Sequence, residues 1–281
     1  MRVRKEFLAQ AFAEDLGEEG DITSLALISK QEMGFGRILA KQDLRLCGID
    51  IAYQVFSFLQ PKIQWTQYFH DGEEVEKGNV IATVEGPLHQ LLSSERIALN
   101  LLQHLSGIST LTAEYVSKTI GTKVKILDTR KTLPLYRDLE KYAVRMGGGM
   151  NHRMGLYDQM MIKDNHVHQV NMLETVQTAR VQYPHTFLIV EIHRHDQIEP
   201  AIQGGADRLL LDNMDDEQLK KAIEIIQGRV PIEISGGITL EKIALLSLMN
   251  IDYISVGAIT HSVKSCDISL KIERIPGHTH A

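Results

Sequence analysis

Only two of the 281 residues are cysteine, Cys47 and Cys266. They are far apart and form no C-x-x-C pair. A disulfide framework and a cysteine-rich zinc module are both excluded, and the two read as free buried thiols in a reducing compartment. No apolar run approaches the ~20 residues that a bilayer span requires. The N-terminal MRVRKEFLAQAFAED carries charges where an export signal needs an apolar core. The expectation is a cytoplasmic chain without a membrane partner. Basic charge is also scarce: 30 Lys and Arg against 36 Asp and Glu give a net charge of −6. A general nucleic-acid binder usually shows a basic stripe, so none is expected here. The phosphate-loop pattern G-x-x-x-x-G-K-(S/T) and the zinc pattern H-E-x-x-H are both missing. The histidine pairs 166/168, 193/195 and 278/280 have no cysteine companions and are not read as zinc ligands; His278 and His280 read as a frayed tail.

What is present divides into two grammars. In the first, residues 1–23 read as an amphipathic helix, with Phe7, Leu8, Ala11 and Phe12 on one face, broken by Gly17 and Gly20. A strand at 34–41, a helix at 48–60 and strands KIQWTQYFH and NVIATVEGP follow, with Trp65 assigned to packing. Ser93 and Ser94 are expected to cap a long helix running to about Ile120. Gly107 and Ser109 would let another helix approach it closely. From 123 onward, strand-length apolar runs (KVKILDT, QMMIKDN, FLIVEIH, RLLLDN, PIEISGG, YISVGA) alternate with helical stretches at 137–146, 170–182, 196–204, 215–227 and 239–249. That is the pattern of a parallel sheet covered by helices. Six strands are two short of a full barrel. The expected division is 1–110 and 111–261, with 262–281 a candidate to pack back on the first domain.

Chemistry concentrates in residues 128–166, where seven basic residues face five acidic ones in an otherwise acidic chain. Arg130 and Lys131 follow one strand and Lys163 another. Residues just past parallel strands converge on one mouth of a barrel, and cations there suit a small, highly charged anion. Arg137, Lys141 and Arg145 alternate with acids at helical spacing and read as a solvated, salt-bridged helix face. Glu191 and Asp212 close successive strands. Such acids can hold ribose hydroxyls, ligate Mg²⁺ or stabilise a cationic transition state; the competing reading is that each caps the next helix. Ser235-Gly236-Gly237 and Gly257 to His261 follow the last two strands and fit phosphate-binding turns, or plain strand–helix connections. Gly147–Gly149 reads as a turn that sets His152 and Arg153 against a ligand.

The segments DTRKT, LEKYAV, GGGMNHRMGLYD and IKDNH resemble the central signature of the quinolinate phosphoribosyltransferase family. EDLGEEGDITS, SSERIALNLLQHLSGISTLT, EISGGIT and ISVGAITHS also occur in family order. The resemblance implies an α/β fold: an N-terminal α/β sandwich plus an incomplete parallel α/β barrel. It implies transfer of phosphoribose from 5-phosphoribosyl-1-pyrophosphate to quinolinate with decarboxylation, Mg²⁺ as cofactor, and a homodimer with a shared active site. It assigns quinolinate to Arg130, His152, Arg153 and Lys163, with Arg96 reaching across the dimer. Lys131 matches a lysine near the reacting centre, Glu191 and Asp212 the ribose and metal side, and Ser235, Gly236, Gly237, Gly257 and His261 the phosphate loops. One departure stands out. The family's T-P-G-L-R is here Leu133-Pro134-Leu135-Tyr136-Arg137, which puts loop geometry and substrate fit in question. A branch of the family associated with molybdenum-transport operons, acting on another acceptor, is an alternative. A Schiff-base aldolase using Lys131 or Lys163, and a non-catalytic sensor of phosphorylated metabolites, are further rivals.

Overall fold

The computed structural model describes residues 1–59, 62–167 and 171–276; His168, His278 and His280 lie outside them. The chain divides into two compact units, residues 1–110 with 263–281, and residues 111–262.

The first unit begins with helix α1 (Lys5–Leu16), which buries Leu8 and Phe12. A second helix, α2 (Ile22–Leu27), starts where Asp21 accepts the Ser24 amide as its N-cap. Strands β1 (Met33–Ala40) and β2 (Leu44–Arg45), helix α3 (Ile49–Leu59), strands β3 (Gln64–Gln67), β4 (Glu74–Val75) and β5 (Val80–Pro87), and helix α4 (Leu88–Ser117) follow. β1 alternates half-buried and buried residues along its length, as a strand with one covered face should. It is the second strand of a four-stranded antiparallel sheet, ordered β12-β1-β5-β3. The partner β12 (Ile268–Arg274) comes from the far end of the chain and pairs with β1 over seven residues. Trp65 packs against Phe56 and Tyr53, with ring centroids 6.0 Å and 5.7 Å away.

Two local expectations fail in this unit. α4 starts directly at the end of β5, so Ser93 and Ser94 lie inside the helix and cap nothing. The Ser93 hydroxyl instead bonds back to the His89 carbonyl at 2.9 Å, an intrahelical use open to any serine. At Gly107 the close approach is made by the backbone of Lys264 and Ser265, not by another helix.

The second unit is a six-stranded sheet, every recorded pair parallel, in the order β6-β11-β10-β9-β8-β7. The strands are β6 (Lys125–Leu127), β7 (Met160–Ile162), β8 (Leu188–Ile192), β9 (Arg208–Asp212), β10 (Ile232–Ser235) and β11 (Tyr253–Ser255). The intervening helices are α5 (Arg137–Met146), α6 (Asp164–Val167), α7 (Met172–Gln182), α8 (Ile198–Gln203), α9 (Asp216–Ile226), α10 (Leu240–Leu246) and α11 (Ala258–His261). All five residues of β8 are buried, which is why its sequence is apolar apart from Glu191. β6 and β7 are consecutive among the strands yet occupy opposite edges, so the sheet is a barrel lacking two strands. Met150 forms a parallel bridge to Leu127 on the outer side of β6. That bridge brings residues 150–153 to the same end of the sheet as the strand C-termini.

Candidate active site

The C-terminal ends of the six strands surround a cavity of about 690 Å³. Twelve of the thirteen candidate residues line it: Arg130, Lys131, His152, Arg153, Lys163, Glu191, Asp212, Ser235, Gly236, Gly237, Gly257 and His261. The thirteenth, Arg96, is exposed on α4 and belongs to the first unit.

The strand order sets a chemical order around the mouth. Cations come from β6, from the 150–153 segment beside it, and from β7. The carboxylates Glu191 and Asp212 come from β8 and β9. The glycine turns come from β10 and β11. Four cationic side chains thus share the cavity with three carboxylates, one of which, Glu233, is matched from behind by Arg208 at 3.0 Å.

The cationic segment is held by one acid. Asp128, fully buried just past β6, accepts from Lys141 Nζ, from the Asn151 amide at 2.6 Å and from the His152 main-chain N–H at 2.7 Å. Lys141 is only 1% exposed, which overturns its reading as part of a solvated helix face. Burial raises the Asp128 pKa and lowers that of Lys141, so desolvation works against both charges. What the pair gains is orientation: Lys141 Nζ also donates to the His152 carbonyl at 3.0 Å, which ties α5 to the 151–153 segment. Arg137 is tied too, to Thr132 and to the Met154 carbonyl, both at 3.0 Å. Arg145 is exposed as expected.

Arg153 is 9% exposed and donates to the Gln159 carbonyl at 3.1 Å. Burial, and next the Arg130 guanidinium, push its pKa down. A buried cation pressed by another cation is a seat for an anion. Lys163 is paired with Glu191, whose other oxygen lies 3.1 Å from His193 Nε2. Asp212 accepts from the Ser235 hydroxyl and from the Asn213 amide at 2.7 Å. Neither acid caps a helix. Asp215 caps α9 through the Gln218 amide at 2.9 Å, and Gln197 serves the turn after Glu191. Ligand atoms of Asp164, Glu191 and His193 lie within 4.8 Å of one another, the one such trio among the described residues; Asp212 is not in it. His166 is used internally, accepting the Lys163 amide at 2.9 Å, and His195 contacts the Gln218 carbonyl.

Glycine is needed at two of the turns. Gly236 and Gly237 have φ of +95° and +58°, and a Cβ on Gly236 would collide with the Asn213 side chain. A Cβ on Gly257 would meet Lys131 Cδ and His261 Cδ2, each at 3.0 Å. The Thr260 hydroxyl, on α11, donates to the Lys131 carbonyl at 2.7 Å and fixes that lysine from below. Leu133, Leu135 and Tyr136 do not line the cavity, so the unusual bulk of this loop is not in the pocket. Leu135, which stands where the family motif has glycine, has φ +67°, in the left-handed region that glycine adopts freely.

Sequence reasoning missed Asp128 as a hub, and missed Asn213 and Glu233 among the residues that line the cavity. Glu233 did leave a signal: a lone acid between Ile232 and Ile234 in a buried strand demands an internal partner.

Comparison with known proteins agrees across the whole chain. Residues 21–106 match the model of the quinolinate phosphoribosyl transferase N-terminal domain, and residues 108–271 that of its C-terminal domain. A Bacillus subtilis protein named "Probable nicotinate-nucleotide pyrophosphorylase (carboxylating)" is 43% identical over 270 residues, covering 95% of this chain and 93% of the relative. The structure of NadC from Streptococcus pyogenes superposes with a TM-score of 0.93 at 36% identity, covering 98% of this chain and 99% of that one. The nicotinate-nucleotide pyrophosphorylase from Francisella tularensis gives a TM-score of 0.90 at 35% identity, covering 97% and 98%. With the two domain models matching most of the chain and relatives similar over nearly their full length, this chain belongs to the quinolinate phosphoribosyltransferase family.

Proposed function

We propose that this cavity joins quinolinate to 5-phosphoribosyl-1-pyrophosphate and releases pyrophosphate and CO₂, giving nicotinate mononucleotide for NAD biosynthesis. The observation that carries the reading is the sorting of charge around one mouth: cations on an arc from β6 to β7, carboxylates on β8 and β9, glycine turns on β10 and β11.

Both substrates are anions, and each repels the other. Arg130, Arg153 and Lys163 offset that repulsion and hold the two carboxylates of the acceptor, which aims its ring nitrogen at the anomeric carbon. That nitrogen forms the new C–N bond while the C–O bond to pyrophosphate breaks, and the electron pair leaves with pyrophosphate. Positive charge develops on the sugar in the transition state, where Glu191 and Asp212 supply fixed negative charge. Lys131, whose stem passes Gly257, stabilises the departing pyrophosphate. The glycine turns with Ser235 and His261 accept the 5-phosphate. Glycosylation leaves the ring nitrogen cationic, so the carboxylate at the adjacent carbon departs as CO₂ and its bonding electrons return to the ring. A proton from solvent then fills that carbon, and no protein nucleophile is required.

The oxygen donors Glu191 and Asp212 suit Mg²⁺, each oxygen keeping acceptor capacity beyond its present hydrogen bond. When bound, the ion neutralises pyrophosphate charge. A homodimer with Arg96 donated from a second copy accounts for an arginine matching the family motif that is exposed and far along the chain from the cavity residues. Two free, buried cysteines are consistent with a cytoplasmic setting, and no described helix is long and apolar enough to cross a membrane.

The test is an assay of nicotinate mononucleotide and CO₂ from quinolinate, the sugar donor and Mg²⁺, with nicotinate as the contrasting acceptor. Product from nicotinate alone, or borohydride trapping of a carbonyl compound on Lys131 or Lys163, would refute the proposal.

A further inference from the structure

The acid that ends β9 is held on both of its oxygens. Ser235, its register partner on β10, donates its hydroxyl to Oδ1 of Asp212, and the side-chain amide of Asn213 donates to Oδ2 at 2.7 Å. The atom facing Oδ2 is the amide nitrogen, because a carboxylate oxygen accepts and the amide oxygen cannot donate. With one donor on each oxygen, arriving from two different strand ends, the plane of the carboxylate is set.

Asn213 does two further things. Its main-chain N–H donates to the Ser235 carbonyl at 3.0 Å, which stitches the turn after β9 to the turn after β10. Its amide also lies over Gly236. A Cβ built on that glycine would run into Oδ1 and Cγ of Asn213 and come within 2.8 Å of its main-chain nitrogen. The amide thus fills the space that a side chain at 236 would need, and Asn213, Gly236 and Asp212 all line the cavity.

The backbone of Asn213 is left-handed, with φ +54°. Glycine, asparagine and aspartate adopt that region most readily, so the turn by itself accounts for an asparagine here. It does not account for where the side chain goes. Asparagine in a turn commonly bonds to nearby backbone groups, whereas this amide is spent on the carboxylate of Asp212.

We propose that Asn213 is a positioning residue for the sugar donor: it fixes the plane of the Asp212 carboxylate and locks that acid to the glycine turn at Gly236. This deepens the reaction assigned above and rests on it. Asp212 stabilises positive charge on the sugar only when its carboxylate is held towards the ring, and the turn at Gly236 receives the 5-phosphate of the same sugar. Asn213 joins the two parts of the mouth that grip one ribose, so a loss of its amide loosens both together. Quinolinate is held by the cations on the arc from β6 to β7, and its binding does not depend on this amide.

The experiment is Asn213→Gly in the full chain. Glycine takes the left-handed backbone without strain, so the turn survives and only the amide is removed. The melting temperature is expected to hold. By calorimetry, the Kd of 5-phosphoribosyl-1-pyrophosphate with Mg²⁺ should rise about tenfold while that of quinolinate stays within about twofold. A crystal structure of the variant should show the Asp212 carboxylate turned from its present plane. Asn213→Asp keeps the shape and the backbone preference but sets a second carboxylate where the donor was, and it should lose at least as much donor affinity. The background Asp212→Asn separates a positioning role from direct contact with the sugar donor. There, with no carboxylate left to hold, Asn213→Gly should change the donor Kd by less than about twofold.

An unchanged donor Kd in Asn213→Gly makes residue 213 a turn former only and overturns the proposal. So does a loss of the same size in the Asp212→Asn background, an equal loss of both ligands, or an Asp212 carboxylate that keeps its plane in the variant crystal. A wild-type protein that binds both ligands yet forms no nicotinate mononucleotide refutes the reaction assigned above, while the donor Kd values and the Asp212 orientation still decide this inference.

Discussion

Lys131 is the residue whose environment is hardest to explain as packing. Its stem runs past Gly257, its carbonyl is held by Thr260, and its side chain reaches the cavity with no carboxylate partner among the described residues. Lys131→Ala should lower kcat by about 100-fold and leave quinolinate affinity within about threefold, the pattern of an interaction made mainly in the transition state. Single-turnover rates beside calorimetry separate the two, and an unchanged rate removes the residue from the mechanism. Leu135 poses a question of strain. A left-handed backbone costs a leucine about 1–2 kcal/mol, and glycine pays back part of that in unfolded-state entropy, so Leu135→Gly should stabilise by about 0.5–1 kcal/mol. Thermal denaturation reads the change. Because Leu135 is 75% exposed and outside the cavity, turnover should not move. The sequence flagged this loop correctly as unusual. It could not say that the odd side chains point away from the pocket, because the direction of a turn residue depends on φ and not on its identity.

At the level of elements, α5 and the 147–153 segment behave as one piece. The pairing of Lys141 with Asp128 is buried on both sides, and removing one partner strands the other. Lys141→Met should cost about 3–5 kcal/mol of stability, and it should weaken quinolinate binding because the His152 carbonyl loses its donor. Denaturant titration with a binding isotherm tests this; an ordinary surface lysine would change neither. The misreading of Lys141 has a simple cause. Alternating charges at helical spacing look the same whether the face meets water or a buried acid from another strand. Gly257 links two other elements, the β6 loop and α11. Gly257→Ala must displace Lys131 or His261 by a few tenths of an ångström, so it should reduce kcat by about tenfold, with little change in melting temperature. Steady-state kinetics with a melting curve distinguishes that from unfolding. The early start of α4 belongs here too. The chain passes from β5 straight into the helix, and of the two serines that resembled a cap, Ser93 bonds back to the His89 carbonyl within it.

For the whole molecule, the open question is what completes the mouth. Arg96 is exposed on α4, and the proposed homodimer would deliver it from a second copy. Arg96→Ala and Arg130→Ala should each abolish activity, and mixed dimers of the two should recover about a quarter of the wild-type rate, since one site in two is intact in about half of the dimers. Verified heterodimers without recovery would argue against a shared site. As for legibility, periodicity alone determined the six parallel strands and the helices between them, because burial on both faces forces continuous apolar runs. The motifs DTRKT, NHR and IKDNH placed the cationic residues, since cations at strand ends have few other uses. Tertiary structure alone decided the return of β12 to β1 and the burial of Lys141. Each depends on which distant residue arrives alongside: spacing reports the repeat of an element, whereas a partner across the fold is set by where the backbone closes.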